Sequence, residues 1–203
     1  MTTFPTRLGT AALTAVLLAT SPLGLVPRAD AAVLEGTPGR DRLPGTAQDD
    51  VIRLYGGNDG SRGLAGDDRI VGGDGRDGLY GGDGDDRVMG GPGRDNLFGG
   101  AGYDVIVGGA GADQVWADPD GVDDLVLTGG GDDHALVYGG DRMRAGAGDD
   151  VIRPTSVNPK RMEIWCGPGR DEVLLPNGGD VGEPDPTRPI VHDCEVVKID
   201  PFH

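Results

Sequence analysis

The chain has 203 residues, the length of one ordinary domain, but Gly supplies 39 of them and aromatic side chains only 4%, so few large groups are available for a globular core. Its formal charge is −16, with 29 Asp against 5 Glu on the acidic side; Asp favours turns and metal ligation where Glu favours helices, which excludes a solvated acidic helix bundle. Nucleic acid is excluded as a partner as well, because binding a polyanion requires clustered Lys and Arg.

Residues 1–31 are set apart from the rest. Arg7 precedes an apolar run over 8–19, followed by Pro22, Pro27 and the small-residue site Ala29-Asp30-Ala31. This is the order of a secretory signal peptide, so the chain is expected to be exported and its leader removed. An uncleaved anchor is the alternative, since apolar character continues weakly to Val26. No later segment approaches the ~20 apolar residues of a membrane span.

Residues 32–116 are periodic. From Gly36 they divide without insertion into nine blocks of nine: GTPGRDRLP, GTAQDDVIR, LYGGNDGSR, GLAGDDRIV, GGDGRDGLY, GGDGDDRVM, GGPGRDNLF, GGAGYDVIV and GGAGADQVW. The sixth position is always Asp: Asp41, Asp50, Asp59, Asp68, Asp77, Asp86, Asp95, Asp104 and Asp113. The fourth is Gly except at Gln48, and the eighth is aliphatic except at Ser61. Gly at the first, second and fourth positions permits a tight turn with inward carbonyls. The seventh to ninth positions make a three-residue strand whose middle side chain points inward. Carboxylates and carbonyls in one turn suit a hard cation taking about six to eight oxygens, which selects Ca²⁺ over imidazole- and thiolate-seeking metals and over the water-retaining Mg²⁺.

These blocks resemble the nonapeptide G-G-x-G-x-D-x-U-x of the RTX, or hemolysin-type, calcium-binding proteins. The resemblance implies an all-β parallel β-roll, a right-handed solenoid in which two nonamers make one coil. Odd and even blocks then stack as separate ladders, Asp41, Asp59, Asp77, Asp95 and Asp113 on one side and Asp50, Asp68, Asp86 and Asp104 on the other. Bare carboxylates one strand spacing apart, about 5 Å, repel by about 3 kcal/mol at an effective dielectric of about 20, so the stack requires a cation between rungs. Counting the gaps gives about seven well-formed Ca²⁺ sites in the regular array. Leu43, Ser61, Leu79, Leu97 and Val115 face Ile52, Ile70, Val88 and Ile106 in the core. Two aliphatic side chains per coil are little burial for so much ordered backbone, so folding is expected to be coupled to Ca²⁺. Leu54 and Tyr55 replace the leading Gly pair and Ser61 the inward aliphatic of one block, which weakens that rung although Asp59 keeps its ligand. Asp49, Asp67 and Asp85, at the fifth position, face solvent or pair with Arg, and Arg40, Arg76 and Arg94 hold that position on the other ladder.

Residues 117–153 carry degraded repeats, offset by two residues at Ala117 and Asp118. GGGDDHAL around Asp133 and GAGDDVIR around Asp150 keep the G-x-D core, as does CGPGRDEVL around Asp171. Asp124 lacks the preceding Gly, and the block over 137–144 is one residue short and lacks the Asp. Asp124, Asp133, Asp150 and Asp171 join the nine as candidate Ca²⁺ ligands.

Residues 154–203 gain Pro, and stretches 162–165, 172–175 and 194–199 alternate as strands. In an exported chain Cys166 and Cys194 read as a disulfide worth about 3 to 4 kcal/mol, two buried thiols being the alternative. The stapled segment is expected to cap the solenoid. CGPGRDEV followed by DCEVV is similar to the C-terminal part of small secreted calcium-binding proteins of actinobacteria.

Enzyme signatures do not survive inspection. G-x-G-x-x-G over 73–78 lies inside the repeats with no helix to follow, neither Ser61 nor Ser156 sits in G-x-S-x-G, and His134, His192 and His203 form no H-E-x-x-H. Asp118 to Asp123 read as an acidic turn between arrays, and Trp116 and Trp165 as end-of-array packing. The expected protein is a secreted, non-enzymatic calcium-binding β-roll with a structural or adhesive extracellular role. The alternative is a Ca²⁺-dependent carbohydrate-binding or carbohydrate-active protein, with an extracellular glycan or cell-surface component as partner.

Overall fold

A computed structural model describes residues 31–155, 162–175 and 190–199. Apart from Ala31, the residues read as a signal peptide lie outside these. Among the described residues no helix is long and apolar enough to cross a membrane, and the elements are all strands. One nine-stranded parallel sheet runs through Val33–Glu35, Val51–Arg53, Arg69–Val71, Arg87–Pro92, Val105–Ala110, Leu125–Gly130, Arg142–Ala147, Glu163–Trp165 and Ile190–His192. The other runs through Arg42–Pro44, Gly60–Ala65, Gly78–Asp83, Asn96–Ala101, Gln114–Trp116, His134–Tyr138, Val151–Thr155, Glu172–Leu175 and Val196–Ile199. Two short strands, Gly56–Gly57 and Asp74–Gly75, form a third pairing. Successive strands of the main sheets alternate between them, so each pair closes one coil of a β-solenoid.

The core lies between the sheets. Ile52, Ile70, Val88, Ile106, Val126, Met143 and Ile164 enter it from one side and Leu79, Leu97, Val115, Ala135, Ile152 and Val173 from the other, all buried. Each stacks in register on its counterpart one coil away, as Ile70 on Val88 and Leu79 on Leu97. Ser61 keeps its place in this column because its hydroxyl donates to the Leu43 carbonyl at 2.8 Å. Leu54, in the same block, is fully buried in the core.

Strands of the middle coils are longer than the three residues expected. Gly78–Asp83, Arg87–Pro92, Asn96–Ala101 and Val105–Ala110 each have six. The ladder continues into the next block's leading Gly pair: Gly72 N–H donates to the Met89 carbonyl at 2.9 Å and Gly73 N–H to Gly90 at 2.8 Å. Alternation then turns the first position of each block inward, like the eighth.

Partners in consecutive coils are 18 residues apart through the regular array, then 20, 17 and 21. The extra two residues do not fall at Ala117 and Asp118. Gly102 still finds Asp120 at a separation of 18, whereas Asp104 finds Asp124 at 20. The insertion is therefore at Gly121 and Val122, where Gly121 takes φ 87° and Val122 is exposed. Beyond residue 154 the described strands extend both sheets, and Ile190–His192 joins those expected from sequence. Cys166 and Cys194 form the disulfide.

Candidate metal centres

The sixth-position aspartates line the two turn edges of the solenoid. Along one edge, the N–H groups of Asp41, Asp59, Asp77, Asp95, Asp113, Asp133 and Asp150 each donate to Oδ1 of the next aspartate in that series, ending at Asp171, over 2.7–3.1 Å. Along the other, Asp50, Asp68, Asp86, Asp104 and Asp124 donate in the same way, ending at Asp141, over 2.7–3.0 Å. All thirteen aspartates proposed from sequence thus belong to two ladders, and Asp141 is a fourteenth. The block over 137–144 does contain its aspartate. A tight turn through Gly139 and Gly140 delivers Asp141 at a separation of 17, so a fixed nine-residue frame passes over it.

The second carboxylate oxygens behave differently. Oδ2 of Asp59, Asp68, Asp77, Asp86, Asp95, Asp104, Asp113, Asp124, Asp133, Asp150 and Asp171 is buried without a hydrogen-bond partner. Eleven orphaned anionic oxygens are far more than a folded domain tolerates, because an unpaired buried charge costs several kcal/mol. Three ladder members escape. Thr37 and Thr46 N–H donate to Oδ2 of Asp41 and Asp50 at 2.5 Å, and Tyr138 N–H to that of Asp141 at 2.7 Å. At these ends the main chain takes the place of an outside partner.

Around each orphan the glycines leave a cradle. A Cβ on Gly81 would strike both Asp86 Oδ2 and the Gly99 carbonyl of the next coil, and one on Gly90 would strike Asp95 Oδ2 and the Gly108 carbonyl. Carboxylate and carbonyl oxygens therefore converge where these residues have no side chain. Among the described residues no three His, Cys, Asp or Glu side chains form a metal-holding group, so each centre combines ladder carboxylates with main-chain oxygens. An all-oxygen set of this kind fits Ca²⁺.

Burial pushes these carboxyls far above the usual carboxylate range, against the partial relief of the N–H each accepts. Asp68, Asp113 and Asp141 are raised to about 6, Asp86, Asp95, Asp104 and Asp150 to about 7, and Asp124 to about 8. Neighbouring ladder carboxylates add to the rise. An edge of stacked aspartates cannot ionise together without a compensating cation.

The two edges part company after the regular array. On the edge that ends at Asp171, the second and fourth turn positions remain left-handed Gly: Gly129 and Gly131, Gly146 and Gly148, Gly167 and Gly169. On the edge that ends at Asp141, Asp118 and Asp120 take those positions in one coil. Asp118 accepts from Gly100 N–H and Asp120 from Gly102 N–H, the latter at 2.7 Å. Loss of the left-handed Gly pair is thus confined to one side, while on the other Thr128, Ala145 and Cys166 replace the first-position Gly.

Fifth-position residues form an outer ladder. Asp49 accepts from Asp67 N–H, Asp67 from Asp85 N–H and Asp85 from Tyr103 N–H, at 2.9–3.0 Å. These aspartates are solvent-facing, as expected, and bind adjacent coils rather than the core. Trp116 packs at the end of the regular array, as the last ring of a column. The coil register places Tyr80, Phe98 and Trp116 in one outward column with ring centroids 4.3 Å apart, and Arg62 lies over Tyr80 at 5.2 Å. Trp165 stacks on His192 and lies beneath Arg144.

The family model described as the RTX calcium-binding nonapeptide repeat matches residues 33–60, 62–97, 89–121 and 137–153, more than half of the chain. No curated protein matches it. Two ladders of Asp, one to each nonamer, on a parallel β-solenoid and matched by four copies of that repeat, place the chain in the RTX calcium-binding nonapeptide repeat family.

Proposed function

We propose that the chain is a calcium-loaded β-roll whose folding is coupled to Ca²⁺ and which acts outside the cell as a structural or adhesive element, without catalysis. The observation that carries the coupling is the set of eleven buried Oδ2 atoms with no partner inside the protein. Bound Ca²⁺ supplies the positive charge that lets the stacked carboxylates ionise together in a dry edge. The chain's own residues do the rest. Each Oδ1 holds the coil before it, in the blocks that open at Gly63 to Gly108 the first-position Gly keeps the cradle open, and the left-handed Gly pair turns carbonyls toward it. The signal-like order of residues 1–31 and the Cys166–Cys194 disulfide support an exported, oxidising location.

The carbohydrate reading has weaker support. In the Tyr80–Phe98–Trp116 column the rings lie within 2° of parallel, so they cover one another's faces and offer a sugar only their edges. Circular dichroism of the whole chain with Ca²⁺ and with excess chelator tests the coupling: the β spectrum is expected only with Ca²⁺, and a full β spectrum in chelator overturns it.

A further inference from the structure

The outer turn residues give the two edges opposite signs over the first four coils. On the edge that ends at Asp141, the turns over 45–50, 63–68, 81–86 and 99–104 expose Asp49, Asp67, Asp83 and Asp85 and contain no Lys or Arg. On the edge that ends at Asp171, the turns over 36–41, 54–59, 72–77 and 90–95 expose Arg40, Arg76 and Arg94 against one exposed carboxylate, Asp74. Both edges carry the same inner ladder, so these outer residues set the difference between them. Among the described residues the ion pairs are Arg53–Glu35 and Arg142–Glu163, and no edge charge takes part in either.

The two columns share one spacing. Asp85 N–H donates to Asp67 Oδ1 and Tyr103 N–H to Asp85 Oδ1, one coil per step, and Gly75 pairs with Gly93 beside Arg76 and Arg94. Copies laid side by side therefore bring a column of carboxylates against a column of guanidinium groups with the same repeat. Each edge also holds a bulky side chain at a cost to its backbone. Tyr55 and Leu64, in one coil but on opposite edges, occupy the second block position at φ 68° and 93°, where the five blocks that follow have Gly. They are 50% and 49% exposed, the Tyr55 hydroxyl donating to Glu35 at 2.9 Å. Bulky residues in the left-handed region cost free energy and cluster at functional contacts.

We propose that copies of the chain associate side by side, the edge carrying Asp49, Asp67 and Asp85 of one against the edge carrying Arg40, Arg76 and Arg94 of the next, with Leu64 and Tyr55 as the apolar contacts. The contact joins unlike edges, so every row ends in one free edge of each sign and stays open to growth. This deepens the structural reading and rests on the calcium-loaded roll, since bound Ca²⁺ offsets the formal −16 that holds copies apart.

Exposed pairs of this kind are individually weak and screened by salt, so the test is sedimentation velocity of the whole chain in saturating Ca²⁺. The parent's mean mass is expected to climb with concentration past that of two chains, and to return to that of one in about 1 M salt, where the screening length is about 3 Å. Arg76→Glu with Arg94→Glu makes both edges acidic. This variant is expected to stay monomeric with the parent's β spectrum and ion count and, because it keeps its Asp edge, to shorten parent rows when mixed in. Leu64→Gly is expected to keep the fold and weaken association several-fold. A folded, Ca²⁺-loaded parent that stays monomeric up to about 1 mM, stops at two chains, or associates undiminished after the Arg reversal overturns the side-by-side contact alone. A parent that neither folds nor binds Ca²⁺ overturns the calcium-loaded reading with it.

Discussion

Oδ1 of Asp95 accepts the main-chain N–H of Asp77 at 2.8 Å, while its Oδ2, equally buried, has no partner. One carboxylate thus serves two masters, a neighbouring coil and a cation. The two roles separate by mutation. Asp95→Asn keeps an acceptor for Asp77 and loses the charge, so in saturating Ca²⁺ it is expected to lose one or two ions. Asp95→Ala also leaves the Asp77 N–H unsatisfied and is expected to be less stable than the Asn variant by about 1 to 3 kcal/mol. Thermal melts with ion counting compare the two, and equal stabilities would contradict the dual role.

The raised carboxyls fix the sign of the pH dependence. With folded-state values of about 6 to 8 against an ordinary 3.8, the metal-free roll has this stability in full only below 3.8 and loses it as pH rises from there to the folded-state values. Ca²⁺ needs the carboxylates ionised, and in the unfolded metal-free chain they are ionised already above about pH 5, so coupled binding and folding is expected to exchange few protons from pH 6 to 8 and to weaken as pH falls toward about 4. Calorimetry in buffers of different ionisation enthalpy measures the exchange, and release of several protons per ion near neutral pH would contradict the coupling.

Two glycines of one strand should respond oppositely to alanine. A Cβ on Gly81 strikes Asp86 Oδ2 and the Gly99 carbonyl, whereas one on Gly78 meets nothing within 4 Å. Gly81→Ala is expected to lose an ion and about 1 to 3 kcal/mol in Ca²⁺. Gly78→Ala is expected to be neutral or slightly stabilising. Chemical denaturation of both variants decides the matter.

Leu64 is half exposed yet held at φ 93°, at the second block position where most neighbours have Gly. Leu64→Gly releases that strain with little packing to lose, and is expected to stabilise the Ca²⁺-loaded chain by up to about 1 kcal/mol. A lower melting temperature would show that the side chain has a packing role.

Much of this was legible in the sequence because the period is short and strict. Every sixth-position Asp from Asp41 to Asp113 stands in its expected ladder, and Leu79, Leu97, Ile70 and Val88 face inward as the alternation requires. Asp141 escaped because the turn before it is shortened, and a ladder is a spacing in space rather than in residue number. The sequence shows Asp133, Asp150 and Asp171 keeping the G-x-D core and Asp124 losing its Gly, but that these blocks lie on opposite edges follows only from the coil register. Nor does a nonapeptide pattern reveal that Oδ1 is already used; that follows only from coil-to-coil register. The aromatic column went unrecognised for the same reason, its members lying two blocks apart.

Calorimetric Ca²⁺ titration of the whole chain, followed in parallel by circular dichroism, is the most direct measurement. Of the eleven orphaned Oδ2 atoms, the six from Asp68 to Asp113 stand beside a first-position Gly that leaves the cradle open, and these lead to an expected stoichiometry of at least about six ions, taken up together with the β spectrum. A stoichiometry of one or two, or β structure complete before any ion binds, would contradict the calcium ladders.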